Sequence, residues 1–248
     1  MTDEAEDLQA QRLYLEADLY AGASVAMTRE QGNYLVNVLR LDNAGRVLVF
    51  NGRDGEWRAE LRRTGRRDAS LDVQSQSREQ TPRSELTYLF APLKRTRLDY
   101  MVQKATEMGA SRLQPVMTRR TVAERVNIER MRANVIEAAE QCGIISVPEV
   151  AEPKPLARLF DAWDATCALV FCDESAPIRD PLVALRVLKP GPVAVLIGPE
   201  GGFSEDERAM LIASPLTIRV SLGPRIMRAD TAAVAALALV NAVRGDWT

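Results

Sequence analysis

Histidine is absent from all 248 residues. That removes Ser-His and Cys-His catalysis together, along with most mononuclear zinc sites. Cysteine is scarce. Cys142, Cys167 and Cys172 are an odd number without a Cys-x-x-Cys pair, so neither a disulfide framework nor a metal knuckle is expected. They read as reduced cysteines of a cytoplasmic protein with no bound metal. No apolar run reaches the 18 or so residues that a membrane span needs, and Asp3, Glu4, Glu6 and Asp7 make the start too acidic for a signal peptide. Lysine is nearly missing as well: of 32 basic residues four are lysines, leaving 28 arginines. Arginine's planar fork suits phosphate and base edges, although biased composition explains the count equally well. With a net charge of −2, bulk electrostatics do not announce a nucleic-acid binder.

What is present is organised around residues 193–231. Val193-Ala194-Val195-Leu196-Ile197 is a continuous apolar run, as in a strand buried on both faces. Gly198-Pro199-Glu200-Gly201-Gly202-Phe203 breaks it, and Ser204-Glu205-Asp206-Glu207 is a capping box opening a helix to about Ala213. The plan repeats. A strand over 217–222 is broken by Gly223-Pro224, and Arg225-Ile226-Met227-Arg228-Ala229-Asp230 leads into an apolar helix over 231–243. Two glycine turns after two strands suit a nucleotide-like ligand at the carboxyl ends of an α/β sheet, but geometry alone also explains such turns.

Upstream, residues 11–77 carry short β-type signals (13–15, 46–50, 56–61, 71–73), a hairpin turn at 51–55 and one helix capped by Thr28. Arg58, Arg62, Arg63, Arg66 and Arg67 cluster here, as either a solvated face or a phosphate-contacting ridge. A polar stretch over 77–85 marks the boundary, dividing the chain into 1–78 and 79–248. Strands at 86–91, 113–117 and 168–172 then alternate with helices striped by Leu98, Met101, Val102, Ala105 and Met108 and by Ile128, Met131, Val135, Ala138 and Cys142. A short helix over 181–188 follows. That alternation argues a mostly parallel sheet covered by helices, an α/β fold.

Leu196-Ile-Gly-Pro-Glu-Gly-Gly-Phe-Ser-Glu-Asp-Glu207 and Leu222-Gly-Pro-Arg-Ile-Met-Arg-Ala-Asp-Thr-Ala232 resemble the RsmE family of ribosomal RNA uridine N3-methyltransferases, of the SPOUT class. Gln103-Lys-Ala-Thr-Glu-Met-Gly109 and Glu137-Ala-Ala-Glu-Gln-Cys-Gly143 are similar to that family's motifs too. The resemblance spans nearly the whole chain. It implies a PUA-like RNA-binding β-barrel before a methyltransferase domain with a trefoil knot, an S-adenosylmethionine cofactor, a homodimer, and small-subunit (16S) ribosomal RNA or the assembled subunit as partner. The donor would be held by Leu196, Gly198, Pro199, Glu200, Gly201, Gly202, Ser221, Leu222, Gly223, Ile226, Met227, Arg228 and Thr231.

For catalysis, a uracil ring nitrogen must lose its proton, and without histidine the base is a carboxylate, water or phosphate. Asp230 is the carboxylate candidate where the family usually has glutamate, though it could instead be the N-cap of the last helix. Arg225 and Arg228 would hold phosphate or stabilise the developing uracil anion. Glu140 and Gln141 stand behind them. Ala229, Asp230 and Ile144 depart from the family's wording. Two alternatives stay open: a tRNA ribose 2′-O-methyltransferase of the same fold class, and a non-catalytic RNA-binding assembly factor.

Overall fold

The computed structural model describes residues 7, 10–63, 69–123 and 125–247. Arg66 and Arg67 lie outside them. Two compact units emerge, one of residues 1–82 with 139–147 and the other of 83–138 with 148–248.

The first unit is a five-stranded sheet of β1 (Arg12–Tyr14), β2 (Ser24–Ala26), β3 (Arg46–Phe50), β4 (Glu56–Arg63) and β5 (Ala69–Arg78), in the order β1-β3-β4-β5-β2. β1 runs parallel to β3, and the other pairs are antiparallel. Alternating residues of β3, β4 and β5 (Val47, Val49, Ala59, Leu61, Leu71, Val73) point to one core, joined by Leu13, Leu15 and Leu35. The expected helix, α1 (Arg29–Asn33), has a full capping box between Thr28 and Gln31 and continues as a π-turn over Tyr34–Val38. β2 escaped the sequence reading because its three residues are mostly exposed and carry no alternating pattern.

Residues 139–147 enter this unit through contacts no local pattern signals. Glu140 accepts a hydrogen bond from the backbone N–H of Tyr14 at 2.8 Å, and Arg78 donates to the Gly143 carbonyl at 3.0 Å. Phe50, Ala139 and Ile145 bury one another beside them. Glu56, 1% exposed, is held between Arg12 and Arg78. Its burial opposes ionisation, but hydrogen bonds from Arg78 and Ser77 and the charges of Arg78 and Arg12 outweigh it and hold the carboxyl below its ordinary value.

The second unit is a parallel sheet. Its strands are β6 (Leu86–Phe90), β7 (Arg112–Met117), β8 (Glu149–Val150), β9 (Lys154–Pro155), β10 (Ala168–Cys172), β11 (Val193–Ile197) and β12 (Thr217–Val220). They follow the order β12-β10-β11-β6-β7-β8, with β9 beside β7. The helices are α2 (Arg95–Glu107), α3 (Ile128–Cys142), α4 (Leu156–Asp161), α5 (Pro181–Leu185), α6 (Glu205–Ala213) and α7 (Ala229–Arg244). Every residue of β11 is buried, as its unbroken apolar run requires when helices cover both faces. Gly109 ends α2 with φ +75°, and the Asn127 side chain caps α3 by accepting from Arg130 N–H at 2.9 Å. Ser204 and Glu207 close the anticipated capping box on α6.

The last helix starts two residues earlier than the sequence suggests. Its N-cap is Arg228, so Asp230 sits in the first turn and is not the cap. Asp230 Oδ1 instead accepts from the N–H of Thr231 at 3.0 Å.

Candidate donor-binding cleft

Because β10, β11 and β12 are parallel neighbours, their carboxyl ends emerge side by side. They border a cleft of about 690 Å3. Residues 171–174 supply one wall at the end of β10, 197–203 a second at the end of β11, and Val220, Leu222, Gly223 and 225–228 a third at the end of β12. Such a volume suits a ligand the size of a nucleoside with an attached side chain.

The glycine turn has a steric cause. At Gly198 a Cβ would come within 2.5 Å of the Phe203 ring, which folds back over the strand exit. Phe203 meets Phe171 edge-on, with centroids 5.4 Å apart, and belongs to the core beneath the cleft. Gly202 turns the chain at φ +69°, and its N–H donates to the Pro199 carbonyl at 2.8 Å. The strand therefore exits as bare backbone, able to approach a flat ring closely. Gly223 does the same after β12 at φ +97°, with open space where a Cβ would stand.

Of the residues the resemblance singled out, Gly198, Pro199, Glu200, Gly201, Gly202, Leu222, Gly223, Ile226, Met227 and Arg228 line this cleft, and so does Arg225. Leu196, Ser221, Thr231 and Asp230 do not. Leu196 is wholly buried inside β11, and Ser221 is 6% exposed. Thr231 and Asp230 lie in the first turn of α7, whose Ala229 and Ala232 reach the cleft instead. Glu200 pairs with Arg97 of α2, which fixes it at the cleft's edge. Arg225 and Arg228 are exposed, and Arg228 makes no capping hydrogen bond to α7. Glu140 and Gln141 lie in the segment that joins the first unit.

Several cleft residues gave no sequence signal. Arg120 lines it and donates to the Gly201 carbonyl at 2.9 Å. Its neighbour Arg119 donates its backbone N–H to Glu207 at 2.8 Å and pairs with Asp206 at the same distance, tying the chain after β7 to the start of α6. Asp173 accepts from Arg208, Arg219 and the Ser175 N–H. Burial alone would raise its pKa, yet these hydrogen bonds and the Arg208 charge hold it below the ordinary value, so it is an anion at neutral pH. Cys172 also faces the cleft, but burial pushes its thiol up to about 12 and leaves no thiolate for nucleophilic work. Among the described residues no cluster of acidic or cysteine side chains could hold a metal ion.

Comparison with known proteins points the same way. Residues 79–241 match the family model described as an RNA methyltransferase domain, and residues 28–74 match an RNA methyltransferase PUA domain. A ribosomal RNA small subunit methyltransferase E of Synechocystis is 31% identical over 243 residues, covering 95% of this chain and 78% of that one. The Rickettsia conorii protein of the same description is 28% identical over 232 residues, covering 93% and 94%. The crystal structure of a ribosomal RNA small subunit methyltransferase E from Neisseria gonorrhoeae, bound to S-adenosyl methionine, superposes with a TM-score of 0.86 at 25% identity. It covers 96% of this chain, and the match takes in all of that one.

Proposed function

This chain belongs to the RNA methyltransferase family, in its small-subunit methyltransferase E branch, and from that premise we propose that it methylates N3 of a uridine in small-subunit ribosomal RNA. S-adenosylmethionine supplies an activated methyl group on a sulfonium sulfur. The observation that carries the reading is the glycine-walled cleft at the ends of β10, β11 and β12, whose bare backbone at 198, 201, 202 and 223 and whose volume of about 690 Å3 suit a nucleoside with an attached side chain. Backbone N–H and C=O groups there read an adenine edge and ribose hydroxyls, and the fixed wall holds the donor in line with its target. Arg225 and Arg228 stand at the cleft with no capping role and receive the RNA, by a phosphate or by the charge that grows on the uracil ring. Asp230 is the carboxylate offered for the ring proton. The trefoil knot is part of this reading and rests on the family membership. A cytoplasmic location is part of the same reading, since that is where a bacterial-type ribosomal RNA substrate is met. Mass spectrometry of 16S ribosomal RNA from a strain lacking the gene tests the whole: one uridine should lose a methyl group, and an unchanged modification pattern refutes the activity.

The residues before 79 grip RNA in this scheme while the rest perform the chemistry. Arg58 is half-buried and paired with Asp7 at 2.6 Å, Arg62 pairs with Asp72, and Arg63 donates to the Leu41 carbonyl at 2.6 Å. Phosphates would have to compete with these partners, and Arg62 and Arg63 are the exposed pair best able to switch. Replacing Arg62, Arg63, Arg66 and Arg67 by alanine should flatten the salt dependence of RNA binding, each lost phosphate contact lowering the log–log slope by roughly 0.7 to 0.9. Affinity for S-adenosylmethionine should stay put. An unaltered slope makes the cluster an ordinary solvated face.

The homodimer belongs here too. α7 buries Ala233, Ala236, Leu237, Val240 and Asn241 within the chain, while Val234, Ala235, Ala238 and Leu239 on its other side are apolar and only half-covered. A second copy packing on that side would complete the burial. Light scattering at micromolar concentration should return twice the 27.4 kDa chain mass; a monomer mass rules the dimer out.

A further inference from the structure

Asp173 is the one cleft carboxylate withdrawn from water. It is 7% exposed, whereas Glu174 is exposed and the Glu200 side chain is 53% exposed in its pair with Arg97. The cleft wall carries four arginines against Glu174 and Glu200, a net +2 that Asp173 brings down to +1. Arg219 adds a further positive charge from behind, 2.7 Å from Asp173 through its Nε. A wall of that sign repels a cation. Exposed carboxylates do little to correct it, because solvent and salt screen them, while a buried charge acts through a poorly screening medium.

We propose that Asp173 is a specificity-determining residue whose buried charge, set between Arg208 and Arg219, offsets the positive wall and so shifts the cleft's relative affinity toward a cationic sulfonium ligand and away from its neutral thioether product. The inference rests on the donor reading above and deepens it. Asp173 acts through its charge and through the orientation it gives Arg208, which lines the cleft with its side chain 38% exposed. The arrangement is built rather than incidental: Asp173 takes two contacts from Arg208, at 2.9 and 3.1 Å, one from Arg219 and one from the Ser175 N–H at 3.0 Å. With every strong acceptor direction occupied, it is held as an anion and cannot turn away. A methyltransferase profits from such a preference, since its product differs from its donor chiefly by one methyl group and one positive charge.

The test is calorimetric titration of S-adenosylmethionine and S-adenosylhomocysteine into the full chain, with melting temperatures recorded alongside. Asp173→Asn should lower the ratio of the two affinities on the order of tenfold, by weakening the sulfonium ligand selectively. Glu174→Gln, an exposed carboxylate on the same wall, should move the ratio far less. Arg219→Gln removes a positive charge from behind the wall and should shift the ratio the opposite way, which keeps the question decidable if Asp173→Asn does not fold. Equal weakening of both ligands in Asp173→Asn, or an unmoved ratio in Arg219→Gln, overturns the proposal and leaves Asp173 a structural ion pair. A wild-type chain that binds neither ligand refutes the donor assignment itself, and this inference with it.

Discussion

Arg228→Ala should cut methyl transfer to RNA on the order of a hundredfold, the usual cost of removing one group that meets charge developing in a transition state. The fold should hardly notice. Arg228 occupies the N-cap of α7 without making a capping hydrogen bond, and its side chain is exposed at the cleft, so alanine removes charge without opening a cavity. Donor affinity should change little, because the glycine turn and the β12 turn remain intact. RNA affinity should drop by no more than one phosphate contact's worth. Single-turnover kinetics at saturating RNA separates these effects, since a loss confined to the rate assigns Arg228 to the chemical step. Lysine at 228 should restore only part of the rate, its point charge lacking the fork that spans two oxygens. Wild-type turnover in Arg228→Ala would remove the residue from the mechanism.

Gly201→Val should weaken S-adenosylmethionine binding roughly tenfold or more, as overpacking by about 1–3 kcal/mol implies. A Cβ at 201 would rest 3.7 Å from the Arg120 side chain, an ordinary contact, so the chain accommodates it. The two γ-methyls must then go either into the cleft or against Arg120, whose hydrogen bond to the Gly201 carbonyl holds the turn. Gly198→Ala makes a useful contrast. There the new atom lies 2.5 Å from the Phe203 ring, which sits against the core under the cleft, so melting temperature should fall together with affinity. Valine at 201 should leave melting within a few degrees of wild type, a shift of under about 1 kcal/mol. Undiminished donor affinity in a folded Gly201→Val protein would move the donor site elsewhere.

The strength of the sequence lay in local chemistry. The Thr28 cap, the Ser204 capping box, Gly109 after α2 and the apolar run of β11 each depend on residues within a few positions, so spacing alone places them. The wording of 196–207 and 222–232 added the family, and with it the fold and the cofactor. Short elements went unread. β8 and β9, two residues each, and the six-residue α4 are too brief to establish a period, and neighbouring chain holds them in place.

The site shows the same division. Gly198, Gly201, Gly202 and Gly223 could be named from sequence because a tight turn needs glycine wherever it occurs. Asp173, Arg208 and Arg120 could not. Asp173 meets partners 35 and 46 positions away, and Arg120 reaches a carbonyl 81 positions on. An isolated Asp or Arg in sequence is indistinguishable from a solvated one. Whether the N-cap of α7 is Arg228 or Asp230 also depended on where β12 releases the chain. The sequence by itself thus determined the longer strands, the Thr28 and Ser204 caps, the glycine turns and the family, since these follow from backbone freedom, apolar periodicity and a characteristic wording. Only the tertiary structure decided which charges are buried together at the cleft, because a carboxylate's burial and its partners follow from which strands lie side by side, and neighbours in a parallel sheet can be remote along the chain.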